Sequence, residues 1–231
     1  MDAETLNFYF APIAAAFVRG AIQPGQAHKP LFEANFEELN DTDYCQLIAF
    51  GLESGLRLHR FKRTMGLPRV TKVFGILRGL LPENLLDIGS GRGAFLWPLL
   101  DAFPGLSVTA IDADEKRIRD IQAVQKGGFA HIESAVMDMA ELSFADGCFD
   151  VTTALEVLEH VQDPKQALQE IRRVTRRFLV ISVPSHEDDN PEHLHLLDQK
   201  TLTTMLVHIG AIKVRCDYVP GHLIAVARFS E

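Results

Sequence analysis

Asp87, Asp112 and Asp138 each close a short apolar run, and Asp87 is followed almost at once by Gly89-Ser90-Gly91-Arg92-Gly93. Glycines at alternate positions let a chain leave a strand in a sharp turn and bring its backbone against a ligand with no Cβ in the way. Gly89-x-Gly91-x-x-Ala94 also satisfies the spacing of a dinucleotide loop, whose helix N-terminus receives a pyrophosphate. The acid two residues before the first glycine weighs against that reading. Asp87 would repel a pyrophosphate, yet it could order the ammonium-bearing end of an amino-acid-like ligand. Asp112, followed by Ala113, is placed for two ribose hydroxyls under either reading. Asp138 can accept from an adenine amino group while Met139 offers backbone or apolar contact to the ring.

A second constellation lies further on. Glu156-Val157-Leu158-Glu159-His160 sets two carboxylates beside an imidazole, and the later segment 184–195 adds His186, His193 and His195. These are donor types that a divalent cation accepts, but His160 is read first as a positioned general base or a hydrogen-bonding helix residue. His193 and His195 alternate, so an extended segment would turn both to one side. His186 with Glu187, Asp188 and Asp189 reads as a solvated loop.

Two textures of sequence must position these groups. Up to about residue 81 apolar residues recur at helical spacing, as in Leu6, Phe10, Ile13 and Phe17, then Leu47, Ile48, Leu52 and Leu56. Breaks at Pro24-Gly25, Pro30 and Gly66-Leu67-Pro68 divide this part into three or four helices, the last predicted over 70–81. From Pro82 onward short apolar runs alternate with helical patterns, the mark of a parallel sheet wrapped by helices. Strands are predicted over 84–88, 107–112, 131–136, 149–155 and 178–183, with helices over 94–102, 115–125, 164–175 and 199–208. Two last strands, 212–219 and 223–229, are separated only by Pro220-Gly221-His222, and so short a connection forces an antiparallel pair. The division expected is a helical extension over 1–81, acting as a lid, and a ligand-binding domain over 82–231.

From Leu81 to the end the sequence resembles the class I, Rossmann-like S-adenosylmethionine-dependent methyltransferases of the small-molecule type. The resemblance rests on the acid before Gly89-x-Gly91-x-Gly93, the acid after the second strand, the acid after the third, and the reversed terminal hairpin. It implies an α/β fold with a seven-stranded sheet, mostly parallel with a C-terminal antiparallel hairpin and flanked by helices. It further implies that Asp87, Gly89, Ser90, Gly91 and Gly93 hold the methionine part of S-adenosylmethionine, Asp112 and Ala113 the ribose, and Asp138 and Met139 the adenine. Leu155 ends the fourth strand, which in the family faces the reactive methyl group, and Glu156 and His160 follow it as the catalytic candidates. Glu156-x-x-Glu159-His160 is also similar to the motif of metal-assisted O-methylation in small-RNA 2′-O-methyltransferases and ubiquinone-pathway O-methyltransferases. Many small-molecule methyltransferases carry a similar segment with no metal, and the reading carried forward has none. The alternatives are a metal-assisted RNA 2′-O-methyltransferase, a nicotinamide-dependent oxidoreductase using the same glycine loop, and a cofactor-binding partner subunit without turnover.

Composition narrows the partners. The 231 residues are 47% apolar and carry a net charge of −8, enough apolar material for a substantial core and the wrong sign for generic binding to nucleic-acid backbones. The exception is local: seven basic residues and no acid lie between Arg57 and Arg78, which leaves room for an anion site. No run approaches the roughly 18–20 apolar residues of a membrane span. Asp2 and Glu4 stand where a secretory signal would carry positive charge, so a cytoplasmic protein is expected. Cys45, Cys148 and Cys216 are far apart and read as reduced, packed thiols. A small-molecule acceptor is the expected partner, and a homodimer is compatible with the sequence.

Overall fold

A computed structural model describes residues 7–63, 66–186 and 189–230. Seven strands form one sheet in the order β3-β2-β1-β4-β5-β7-β6. Their ranges are β1 Asn84–Ile88, β2 Ser107–Asp112, β3 Ile132–Val136, β4 Phe149–Leu155, β5 Thr175–Pro184, β6 Lys213–Val219 and β7 His222–Arg228. β1 pairs in parallel with β2 and β4, and β4 with β5, whereas β7 runs antiparallel to both β5 and β6. The doubly wound dinucleotide fold keeps a parallel sixth strand next to the fifth. Here a reversed β7 occupies that place, and the expected terminal hairpin is what puts it there.

Eight α-helices are described: α1 Ala11–Ala21, α2 Lys29–Glu33, α3 Asp41–Glu53, α4 Pro68–Leu80, α5 Leu96–Ala102, α6 Glu115–Lys126, α7 Pro164–Val174 and α8 Gln199–His208. Each longer one begins on a local signal. Asn40 caps α3 through a reciprocal capping box with Asp43, Asp163 and Asp198 cap α7 and α8 through their side chains, and Pro68 opens α4 at the position where a missing N–H costs nothing.

The chain falls into two compact units. The first gathers the described residues of 1–65 with 90–105 and 114–135. Within it α1 packs against α6 through Ala16 and Gly20, and the approach is so close that a Cβ at Gly20 would lie 1.8 Å from the carbonyl oxygen of Ala123 and one at Gly127 1.7 Å from that of Ala16. Two residues of the basic run are committed here: Arg63 makes a bidentate pair with Asp101 at 2.7 Å, and Arg60 pairs with Asp120.

The second unit comprises 66–89, 106–113 and 136–231, so α4 belongs with the sheet while the helices before it do not. Its core is the apolar middle of β1, β4 and β5, where Leu85, Leu86, Val151, Ala154, Leu179 and Ile181 are completely buried. At the amino end of these strands Asp150, also buried, accepts from the Glu83 N–H at 2.8 Å and from Arg176. Burial alone would push its carboxyl up, but those hydrogen bonds and the charges of Arg176 and Arg177 outweigh it and hold it below the usual range. This pairing explains why β5 begins at Thr175, three residues before the expected Phe178: Arg176 and Arg177 break the apolar pattern yet sit in the strand as partners of a buried acid. None of the three cysteines is in a disulfide, and burial pushes the thiol of Cys148 up. No described helix is long and apolar enough to cross a membrane.

Candidate active site

The carboxyl ends of β1 and β2 carry the first carboxylates. Asp87 is 2% exposed, and its Oδ1 accepts the Thr153 hydroxyl at 2.8 Å, so the neighbouring β4 fixes its rotamer. Asp112, half-buried, ends β2, and its carbonyl accepts the Met137 N–H, which draws the chain after β3 toward the end of β2. The Gly89 N–H donates to the Ile111 carbonyl at 2.8 Å and ties the start of the loop to the same place. Asp138 is exposed and turns one oxygen to the Ala140 N–H, while Met139 is buried and Ala113 exposed.

Gly89, Gly91 and Gly93 all adopt positive φ, at 70°, 54° and 80°, a run that only glycine tolerates cheaply. At Gly89 a Cβ would also fall 2.4 Å from the side chain of Val157. Beyond Ser90, which is buried, the Gly93 N–H closes the turn on the Ser90 carbonyl, and Trp97 Nε1 donates to that of Arg92. The donor set fits S-adenosylmethionine. A half-buried carboxylate at the end of β2 suits two hydroxyls, and acids at three strand ends suit an ammonium and an amino group while rejecting the pyrophosphate of a nicotinamide dinucleotide.

The end of β4 is organised differently. Glu156 follows Leu155 with φ 59°, a left-handed conformation unusual outside glycine. Two other strands hold it there. Its N–H donates to the Ser182 carbonyl, its Oε1 accepts the Ser182 hydroxyl at 2.6 Å, and its Oε2 lies 3.1 Å from His222 Nε2. His222 Nδ1 in turn lies 3.0 Å from the Pro220 carbonyl. Both imidazole nitrogens thus face oxygens that accept.

His160 ends a short 3₁₀ turn, Leu158–His160, and its Nδ1 lies 2.9 Å from the Glu192 carbonyl. A carbonyl only accepts, so Nδ1 carries the hydrogen and the neutral ring keeps its lone pair on Nε2. The histidines at 193 and 195 do not share a role: the His193 ring lies 4.9 Å from that of His160, whereas His195 Nε2 is spent on the Val161 carbonyl. Ligand atoms of Glu159, His160 and His193 lie within 4.8 Å of one another. Glu159 is completely buried, and Glu156 does not join this cluster. In the loop expected to be solvated, His186 and Asp189 are exposed, and Glu187 and Asp188 lie outside the described residues.

Sequence reasoning named the acids and the glycines but not Thr153, Ser182 and His222, which contact Asp87 and Glu156. The first two are small hydroxyl residues inside apolar strands, and His222 opens the last strand after a turn. No local spacing links any of them to the residues they hold.

Comparison with known proteins agrees with this geometry. Residues 86–178 match the family model described as a methyltransferase domain. Over those residues the chain is similar to a methyltransferase domain. It is 33% identical over 114 residues to an O-methyltransferase of Aspergillus sclerotiorum, covering 47% of this chain and 42% of that protein. Over 139 residues it is 31% identical to the mitochondrial ubiquinone biosynthesis O-methyltransferase of Schizosaccharomyces pombe, covering 56% and 48%. It spans less than half the length of these two relatives. Among solved structures, a SAM-dependent methyltransferase from Aquifex aeolicus superposes with a TM-score of 0.55 at 21% identity, covering 70% of this chain and 97% of that one; at that identity the likeness is one of fold.

Proposed function

We propose that this protein transfers the methyl group of S-adenosylmethionine to a hydroxyl, or alternatively a carbon, of a small-molecule acceptor. The observation that carries the reading is the set of acids at successive strand ends, Asp87, Asp112 and Asp138, the first of which leads along the chain into a turn of three left-handed glycines. In this reading Asp87, Gly89, Ser90, Gly91 and Gly93 receive the methionine part, Asp112 and Ala113 the ribose, Asp138 and Met139 the adenine, and Leu155 lines the approach to the methyl group. The cofactor supplies a methyl carried on a sulfonium, whose leaving group is already good. The protein therefore has to align the acceptor and take one proton. His160, with Nδ1 bound to a carbonyl, offers Nε2 for that proton, and Glu156, clamped by Ser182 and His222, orients the acceptor. The name of the relatives supports oxygen as the target, and the net charge of −8 weighs against an RNA acceptor. The test is calorimetry with S-adenosylhomocysteine together with mass spectrometry of ligands that co-purify. Saturable binding, weakened in Asp112→Ala by about 1–3 kcal/mol, is expected; equal affinity in the variant would remove Asp112 from the site, and affinity for reduced nicotinamide alone would sink the reading.

A second version is favoured by the cluster of Glu159, His160 and His193. A divalent cation held there would polarise the acceptor hydroxyl, and the Glu192 carbonyl on His160 Nδ1 is the kind of outer contact that orients a ligating imidazole. Loss of turnover with chelator and its return with magnesium or manganese are expected under this version. Chelator-insensitive turnover would leave His160 as the base.

A further inference from the structure

Arg60, Arg63 and Lys72 of the basic run make ion pairs, and the sheet unit holds further positive charge where α4 lies over β6 and β7. There a cavity of about 420 Å³ opens between the helix and the sheet, within the range of small-molecule sites. Its floor is apolar, made by Ile76 and Leu80 of α4, Phe178 of β5, and Ile224 and Val226 of β7. One end is closed by an ion pair across the groove, Lys72 Nζ to Asp217 Oδ2 at 2.7 Å. The other end is not neutralised. Lys213 and Arg228 stand directly opposite each other on β6 and β7, and Arg215 is two residues along on the same face. None of these three makes an ion pair with a described residue, and all are exposed.

Like charges directly opposite on neighbouring strands repel, and here three cations converge on one groove of a chain whose overall charge is −8. The helix above is also bare where it could be filled. Gly75 and Gly79 line the groove, and a Cβ added at either would meet nothing within 4 Å, so no packing requirement excludes a better helix former. Local rules broken together, with no described residue compensating, mark a place shaped for something else. The groove lies beside Phe178 and Arg228, at the amino end of β5, whereas the methyl-transfer site lies at the carboxyl ends of the strands.

We propose that this groove binds a free amphipathic anion from solution, an apolar chain carrying one oxyanion head, with the chain on the Ile76, Leu80, Phe178 and Val226 floor and the head on Arg215, Lys213 and Arg228. Guanidinium groups match such a head by paired N–H donors. The volume suits a small molecule rather than a polymer, and the charge of the whole chain repels an anionic bilayer. The proposal stands independently of the methyl-transfer reading.

The test uses dodecanoate below its micellar concentration, titrated into the full chain by calorimetry, with the neutral detergent dodecyl maltoside as comparison. Saturable one-to-one binding of dodecanoate alone is expected. Arg215→Gln should weaken it by about tenfold, the scale of a lost charge-assisted hydrogen bond, and Gly79→Leu should abolish it by filling the groove. Both variants should keep the affinity of the parent for S-adenosylhomocysteine, whatever that is, which also reports that they fold. Dodecanoate binding unchanged in both variants would overturn the proposal. So would binding to phosphatidylglycerol vesicles but not to free dodecanoate, or concentration-dependent dimerisation that the same substitutions abolish, since either names a different occupant.

Discussion

The ends of β1 and β2 and the end of β4 stand side by side at one edge of the sheet, but they are built on different principles. On the β1 and β2 side the candidate groups themselves are local: Asp87, the glycines and Asp112 lie within a stretch of 26 residues, and of the side-chain contacts described there only the Thr153 hydroxyl on Asp87 comes from farther along the chain. On the β4 side the groups come from distant parts of the chain. Ser182 is 26 residues from Glu156, the Glu192 carbonyl is 32 residues from His160, and His222 belongs to the last strand. A ligand that does not change can be met by a fixed local motif. An acceptor that differs between enzymes must be met by parts that can be exchanged separately, and loops and late strands supply them.

The largest expected effect would separate the two sides most sharply. His160→Ala should leave S-adenosylhomocysteine affinity nearly unchanged while turnover of a hydroxyl acceptor falls by about 10²–10⁴, the span of a lost acid–base group. Full turnover in that variant would break the comparison by taking chemistry away from the β4 side.

Next in size is a change at the opposite ends of the strands, where fold rather than chemistry is at stake. Asp150→Asn removes the carboxylate that Arg176 and Arg177 face and should cost about 2 kcal/mol in denaturant unfolding, the scale of a lost hydrogen bond to a charged group whose partners stay partly solvated. The folded carboxyl of Asp150 lies below its unfolded value. Its contribution is therefore complete above the ordinary aspartate range near pH 4 and lost as the pH falls through the lower folded value. Parent and variant should thus differ at pH 7 and converge in acid, and parallel acid profiles would show that Asp150 is not the group responsible.

The smallest effect tests the clamp. His222→Ala should lower turnover by about tenfold with cofactor affinity unchanged, because Glu156 keeps its Ser182 contact and loses the other. His222→Gln, which retains one N–H donor, should recover part of the loss; equal defects in the two variants would reduce His222 to a packing residue.

Much of the fold was legible because its signals are short-ranged. Alternating apolar runs and caps set β1, β2 and β4 to the residue, and the three-residue turn at Pro220 forced the antiparallel hairpin. The start of β5 was not, since Arg176 and Arg177 look like a loop until the buried Asp150 they serve is in view. The histidines show the same limit. Alternation put His193 and His195 on one side, but the segment is not a strand, and its backbone turns one ring to His160 and the other to a carbonyl.

By itself the sequence determined the sheet, the glycine turn and the acids at the strand ends, because strand period, left-handed φ and charge are properties of residues and their near neighbours. Only the tertiary structure decided that Glu156 leaves the Glu159 and His160 cluster to pair with His222, that His160 holds its hydrogen on Nδ1, and that three cations gather over a bare helix. Those outcomes depend on which distant backbone carbonyl or side chain arrives within about 3 Å, and no spacing along the chain encodes that arrival.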